Sequence, residues 1–129
     1  MLQKICNFTC YALLLTTLFG VPVFAVQDRV TVDRQIHFPR GSISASISKR
    51  IVRGTTHNYR VRARAGQEMA VVLKTGNKTS FTISAREAGI LEGADGVRRT
   101  LIELPESGEY LIQIGTDATA NYTLEVTIH

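Results

Sequence analysis

The chain has 129 residues and a net charge of +4, and 44% of its residues are apolar. This length suits one ordinary domain built around a single core. Aromatic residues make up only 7% of the chain and include no tryptophan. Nucleic-acid binding is therefore disfavoured, because it needs basic groups interleaved with stacking aromatic side chains.

The first 25 residues have the pattern of a secretory signal peptide. Lys4 precedes an apolar run, which closes on Val23-Phe24-Ala25, a pattern typical of signal cleavage. The run is shorter than the ~20 residues that span a bilayer, so we expect no stable membrane anchor after cleavage. The sequence predicts a signal peptide over 1–25, a single mature domain over 26–129 and a periplasmic or secreted location.

Both cysteines of the chain, Cys6 and Cys10, fall within the predicted signal peptide. The mature domain would then contain no disulfide, although an exported protein could form one. We expect its fold to depend on its hydrophobic core alone.

Beyond residue 30, alternation of apolar and polar residues recurs about every ten residues between short segments rich in Gly, Pro, Asn and Ser. This pattern is typical of an all-β sandwich or barrel. We predict an antiparallel, jelly-roll-like β-sandwich of about eight strands: Gln35–Phe38, Ile43–Ser48, Asn58–Ala65, Glu68–Thr75, Ser80–Ala85, Thr100–Leu104, Tyr110–Ile114 and Tyr122–Ile128. The segment 85–97 has no clear period and is predicted as a loop with one helical turn.

The strand over 59–65 alternates most clearly. Tyrosine, valine and two alanines would face the core, and a row of three arginines (Arg60, Arg62, Arg64) would face outward. Two interpretations of this row stay open. It is either an ordinary solvated face or a binding surface for phosphate, carboxylate or an anionic glycan.

The charges are unevenly distributed along the mature chain. Residues 26–64 contain nine basic and two acidic residues, whereas residues 65–129 contain five basic and nine acidic ones. Such asymmetry could orient a charged partner, if the fold places the two halves on different faces.

The last two predicted strands alternate in the same way and are joined by the small polar residues 115–121. We predict that they form an antiparallel hairpin whose matching faces cover the core. The core positions would be Tyr110, Ile112 and Ile114 on one strand and Tyr122, Leu124, Val126 and Ile128 on the other.

The sequence contains no recognisable catalytic or metal-binding motif. His37, His57 and His129 are too scattered for a metal-ligand spacing, and no serine lies in a G-x-S-x-G nucleophile pattern. The glutamates at 103, 106 and 109 are interpreted as a solvated acidic edge rather than an acid and base pair. The sequence predicts a binding protein with no catalytic residues, no metal and no cofactor.

Several short elements together resemble a known family. They are Phe38 and Gly41, Ala45 and Ser48, Tyr59 with 63–67, the run 104–110 and the closing YTLEV at 122–126. In this order they resemble the bacterial pre-peptidase C-terminal type of β-sandwich and, within it, the periplasmic inhibitors of goose-type lysozyme.

That resemblance implies a function for Ser107-Gly108-Glu109-Tyr110. In the inhibitors, a serine-glycine-x-tyrosine loop enters the active-site cleft of the enzyme. Ser107, Gly108 and Tyr110 would then be the partner-binding residues and a lysozyme the partner. The inhibitors also carry an arginine-bearing loop between the last two strands, whereas residues 115–121 contain no arginine. The alternative is an accessory or structural module that binds another envelope protein and uses these residues only for its turn and core.

Overall fold

The computed structural model describes residues 30–76 and 78–129, so the predicted signal peptide and its cleavage site lie outside the described residues. Nine β-strands follow one another: β1 Thr31–Gln35, β2 Ser44–Ile51, β3 Thr56–Ala63, β4 Glu68–Lys74, β5 Thr79–Ala85, β6 Gly89–Ile90, β7 Arg99–Glu103, β8 Gly108–Thr116 and β9 Ala120–Ile128. Within this part of the chain there is no helix, and hence none that could cross a membrane.

The strands form two sheets, in the orders β1-β3-β8-β5-β6 and β2-β9-β4-β7. Every neighbouring pair is antiparallel except β1 and β3, which are parallel. The inner faces of both sheets supply one hydrophobic core. This architecture confirms the predicted all-β sandwich.

The predicted hairpin of the last two strands is wrong. β8 pairs with β3 and β5 in one sheet, whereas β9 pairs with β2 and β4 in the other. The connection is therefore a corner that crosses between the sheets, and it comprises only residues 117–119. The predicted core faces of both strands are confirmed, because all seven side chains are buried.

Two other segments differ from the sequence prediction. The first strand covers Thr31–Gln35 rather than Gln35–Phe38, and its side chains are mostly exposed because β1 is an edge strand. The segment 85–97 contains β6 and no helical turn. It folds back along β5, with the backbone N–H of Ile83 donating to the carbonyl oxygen of Ala94 at 2.8 Å.

The arginine row is confirmed as an outward face. Arg60, Arg62 and Arg64 are exposed, whereas Tyr59 and Val61 between them are completely buried. β3 ends at Ala63, however, so the predicted core position Ala65 lies exposed in the following turn.

A polar cluster is buried between the sheets. His57 and Tyr59 project from β3 toward Tyr122 of β9, whose hydroxyl lies 2.7 Å from His57 Nδ1 and 2.5 Å from the Tyr59 hydroxyl. Burial is the main cause that raises the pKa of Tyr122, and the hydrogen bond with Tyr59 adds to it. Burial also lowers the pKa of His57, and the positive charges of Arg34 and Lys49 lower it further. These effects all favour the neutral form of His57.

We expect the domain to lose stability below about pH 6.5, the ordinary pKa of histidine in an unfolded chain. Because the folded-state pKa of His57 is lowered, the unfolded chain binds the proton first, and stability then falls by up to about 1.4 kcal/mol per pH unit. Urea unfolding of the wild type and His57→Gln between pH 7.5 and 5 measures this effect. An equal loss in both proteins would show that His57 is not its source.

Candidate functional site

The turn before β8, residues 104–107, is fastened to the turn between β3 and β4. The backbone N–H of Gly66 donates to the carbonyl oxygen of Leu104 at 2.9 Å. The N–H of Leu104 donates in turn to the carbonyl oxygen of Gln67 at 2.8 Å. The N–H of Ala65 donates to Ser107 Oγ at 2.9 Å. These three bonds hold the two turns together at one end of the sandwich.

Glu106 fastens the same turn on its other side. Its carboxylate accepts hydrogen bonds from the backbone N–H groups of Glu87 and Ala88, at 3.2 and 3.0 Å. These two residues lie between β5 and β6, so the turn before β8 is braced against a turn on each flank. Glu106 is therefore a structural acceptor, which the interpretation of the glutamates as a merely solvated edge had missed.

Tyr110 braces the turn from beneath. Its side chain is 0% exposed, and its hydroxyl accepts from the backbone N–H of Glu106 at 3.1 Å and donates to the carbonyl oxygen of Glu106 at 2.5 Å. A hydroxyl held in this way does not reach the surface. The structure thus gives Tyr110 a supporting position, while Ser107 above it is exposed.

Gly108 lets the chain pass from the turn into β8. Its φ of +141° lies in a region that side-chain-bearing residues rarely adopt. The backbone therefore accounts for a glycine here, whatever part Gly108 has in binding. Of the three residues predicted to bind a partner, Ser107 and Gly108 border a cleft, whereas Tyr110 does not.

That cleft has a volume of about 630 Å³ and lies on the outer face of the β3-β8-β5 sheet. Its lining includes Ser107 and Gly108 together with three arginines and three glutamates: Arg60, Arg62, Arg86, Glu87, Glu106 and Glu109. Within the described part of the chain, neither arginine has a carboxylate within 4 Å, whereas Arg60 is paired with Asp33 at 3.5 Å and with Glu109 at 3.3 Å. Arg62 and Arg86 thus border the exposed serine without a close ion pair, although the glutamates in the lining equal the arginines in number.

The loop between β8 and β9 lies at the opposite end of the sandwich. β8 has nine residues, so about 30 Å separates this loop from Ser107. An arginine in the loop between β8 and β9 would therefore be too far from Ser107 for both residues to contact the same group of a partner. The arginines that lie near Ser107 are instead Arg62 on β3 and Arg86 after β5.

The uneven charge along the chain is partly retained in the fold. The strands of the basic half lie at one edge of each sheet, β1 and β3 in one sheet and β2 in the other, and the strands of the acidic half follow them. Where the two halves meet, β3 pairs with β8, and Arg62 lies opposite Glu109. The orienting effect of this asymmetry on a charged partner stays a prediction.

In residues 30–76 and 78–129, no group of three or more His, Cys, Asp or Glu side chains is arranged to hold a metal ion.

Tyr110→Phe is expected to loosen the turn without opening the core. The substitution keeps the ring but removes both hydrogen bonds to Glu106, which should cost about 1–2 kcal/mol of unfolding free energy. Amide hydrogen exchange should increase at residues 104–108 more than in the strands. Unchanged exchange in the turn would show that the hydroxyl does not brace it.

Comparison with known proteins identifies solved structures that have a similar fold. No protein-family model matches the chain, and no curated protein matches it significantly. Among solved structures, the chain is similar to PliG from Aeromonas hydrophila, a periplasmic inhibitor of g-type lysozyme, with 25% identity and a TM-score of 0.68. The match covers 78% of this chain and 99% of that one.

Two further inhibitors of g-type lysozyme share the fold. PliG from Salmonella Typhimurium is 20% identical with a TM-score of 0.59, over 76% of this chain and 98% of that one. A mutant of Escherichia coli PliG is 16% identical with a TM-score of 0.58, over 78% and 99%. The resemblance to periplasmic inhibitors of goose-type lysozyme, predicted from short motifs, is confirmed by the fold.

Proposed function

We propose that the protein is a periplasmic lysozyme inhibitor that blocks the active-site cleft of its target with the turn before β8. It acts by binding and carries out no reaction of its own. The fold shared with three periplasmic inhibitors of g-type lysozyme supports this proposal. The 25% identity to the Aeromonas hydrophila protein supports it further.

The observation that carries the proposal is the bracing of an exposed serine. The backbone N–H of Ala65 donates to the Ser107 side chain, and the Tyr110 hydroxyl donates to the carbonyl oxygen of Glu106. The Glu106 carboxylate accepts from the turn after β5, so the residue before Ser107 is held on two sides. A turn that is already ordered loses little conformational entropy on binding. Such a turn is suited to fill a cleft.

The Ser107 hydroxyl can donate a hydrogen bond to a partner. Its oxygen accepts the N–H of Ala65, so its own O–H can donate to another group. Glycoside-cleaving sites contain a pair of carboxyl groups, and an ionised carboxylate is a strong acceptor. In the proposed complex Ser107 donates to one of these carboxylates, with Arg62 and Arg86 alongside. Gly108 contacts the enzyme through its backbone, and Tyr110 supports the turn.

The test is inhibition by the folded mature domain, residues 26–129, of goose-, chicken- and invertebrate-type lysozymes. We expect inhibition of at least one type, goose-type first, and competition with substrate. Ser46→Ala is the matched control for serine substitutions at position 107. Ser46 is an exposed serine on the outer face of β2, remote from the turn before β8. If none of the three enzymes is inhibited at high micromolar concentration, the proposal fails and the accessory-module alternative is favoured.

We also propose that export removes residues 1–25. Intact-mass measurement of the protein recovered from the periplasm or medium should then correspond to a chain beginning at Val26. A full-length mass would contradict the processing, but not the binding function of the domain.

A further inference from the structure

The side of the sandwich between β1 and β2 carries two cations that face the gap between the sheets. Arg34 lies beside Tyr59 in the register of β1 and β3, and Lys49 lies opposite Tyr122 in the register of β2 and β9. Paired residues face the same side of a sheet, and both tyrosines are buried. Arg34 and Lys49 are therefore inward-facing residues on the edge strands of opposite sheets.

The floor between these cations is the buried polar cluster of His57, Tyr59 and Tyr122. His57 is 7% exposed, and its Nδ1 is engaged by the Tyr122 hydroxyl. Its Nε2 makes no hydrogen bond to another described residue, and this atom is not fully buried. The second ring nitrogen is thus available to a ligand.

The positive charge here is not neutralised by the described part of the protein. Neither Arg34 nor Lys49 has a carboxylate within 4 Å among residues 30–76 and 78–129, and the adjacent Asp33 pairs instead with Arg60 on the outer face. Both cations lower the pKa of His57, and Arg34 also acts on Tyr122. The register and the hydrogen bonds place the two cations on either side of the cluster that contains His57, because Arg34 pairs with Tyr59 and Lys49 with Tyr122.

We propose that Arg34, Lys49 and His57 form a binding site for a small oxyanion of the sulfate or phosphate class, which binds more tightly when His57 is protonated. The guanidinium group can donate two parallel hydrogen bonds to such an anion, and the ammonium group supplies a point charge. A protonated imidazole has donors on both nitrogens. Nδ1 would then donate to Tyr122 and Nε2 to the anion.

The pH dependence follows from linkage. The titratable groups that face His57 are Arg34 of β1, Lys49 of β2, Tyr59 of β3 and Tyr122 of β9. In the free protein no acidic group among them offsets a charge on His57. A bound oxyanion would supply that negative charge and raise the pKa of His57, and protonation would strengthen anion binding by the same factor.

Edge strands also use inward-facing charges simply to prevent pairing with another sheet. That role requires a charge at the edge but no binding of an anion and no coupling to His57. A matched variant distinguishes the two roles. Arg50 is the next residue after Lys49 on β2 and is likewise exposed, but it faces outward.

The experiment is a sulfate titration of the mature domain at pH 5.0 and 7.5, with total ionic strength held constant by sodium chloride. The thermal midpoint and the His57 Hε1 resonance are followed, and the resonance is assigned with His37→Gln and His129→Gln. We expect sulfate to raise the pKa of His57 and to bind more tightly at pH 5.0 than at pH 7.5, by up to about tenfold for each unit by which the pKa rises.

Lys49→Gln and Arg34→Gln should each weaken sulfate binding about tenfold, as expected for the loss of one charge-assisted hydrogen bond. Arg50→Gln removes the same charge and should change the affinity less than about twofold, because an exposed charge outside the site contributes little. The proposal is overturned if sulfate leaves the His57 pKa unchanged, or if Arg50→Gln weakens binding as much as Lys49→Gln.

A parallel titration with inorganic phosphate and glycerol 3-phosphate identifies the source of the ligand. Similar affinities would show that the site accepts the terminal phosphate of a larger molecule. Binding of inorganic phosphate alone would show that only the free ion enters. Either result supports the site, and binding of neither, with sulfate also inactive, overturns it.

Discussion

Replacing Tyr122 by alanine is expected to lower the free energy of unfolding by about 3–5 kcal/mol, the range of large aromatic truncations in cores. Tyr122 is 2% exposed and is packed between the two sheets. Its hydroxyl also contacts both His57 and Tyr59. The substitution therefore leaves a cavity and two polar side chains that have lost their partner, so we expect the upper part of the range.

Tyr122→Phe separates these two contributions. It retains the ring and removes only the hydroxyl, so the loss should be smaller, about 1–3 kcal/mol for buried groups left unsatisfied. Chemical unfolding followed by circular dichroism measures both variants. A loss under about 1 kcal/mol for the alanine variant would contradict the burial of this face, because truncating a large aromatic side chain in a packed core costs about 3–5 kcal/mol.

Burial along the strands could be predicted from the sequence, whereas their pairing could not. Alternation reports which side chains face the core, since the pleat has a period of two, and it was correct for Tyr110 and for Tyr122. It carries no information about which strand lies alongside. β8 and β9 are consecutive and have matching faces, yet the corner at 117–119 sends them into different sheets.

Edge elements were also difficult to predict for a physical reason. β1 has one neighbouring strand and mostly exposed side chains, so no apolar alternation marks it. The two-residue β6 is held by backbone hydrogen bonds, which the sequence does not reveal.

The candidate site was partly predictable. Ser107 and Gly108 were identified by a local motif, and Arg62 as part of an outward arginine row that is either a solvated face or a binding surface. Their proximity depends on the pairing of β3 with β8. Arg86 and Glu87 lie in a segment without periodicity, and the acceptor role of Glu106 depends on how that segment folds back. No sequence signal brings these residues together.

The structure also changes what a serine substitution can reveal. Ser107→Ala would remove the acceptor of the Ala65 N–H, so a stability loss of about 1 kcal/mol is expected whether or not Ser107 contacts an enzyme. Stability and inhibition would then change together. A better probe keeps an acceptor at this position and alters only what faces the partner.

Ser107→Asn and Ser107→Asp provide this probe, because they are nearly equal in size and both retain an oxygen that can accept the Ala65 N–H. Asparagine still has a donor for a carboxylate, whereas ionised aspartate has none and adds a like charge. Like charges brought together in an interface cost several kcal/mol. We therefore expect similar unfolding free energies, a less than about tenfold loss of inhibition for asparagine and a more than about hundredfold loss for aspartate.

The measurement is the inhibition constant of each variant against the lysozyme that the wild-type domain inhibits, together with urea unfolding of the same preparations. Equal inhibition by the two variants would show that Ser107 does not face a carboxylate, even if the domain is an inhibitor. A strong loss for aspartate alone, with stability preserved, would place the Ser107 hydroxyl against an acidic group of the enzyme. That result would separate the binding role of the turn from its structural role, because the bond to Ala65 is retained in both variants.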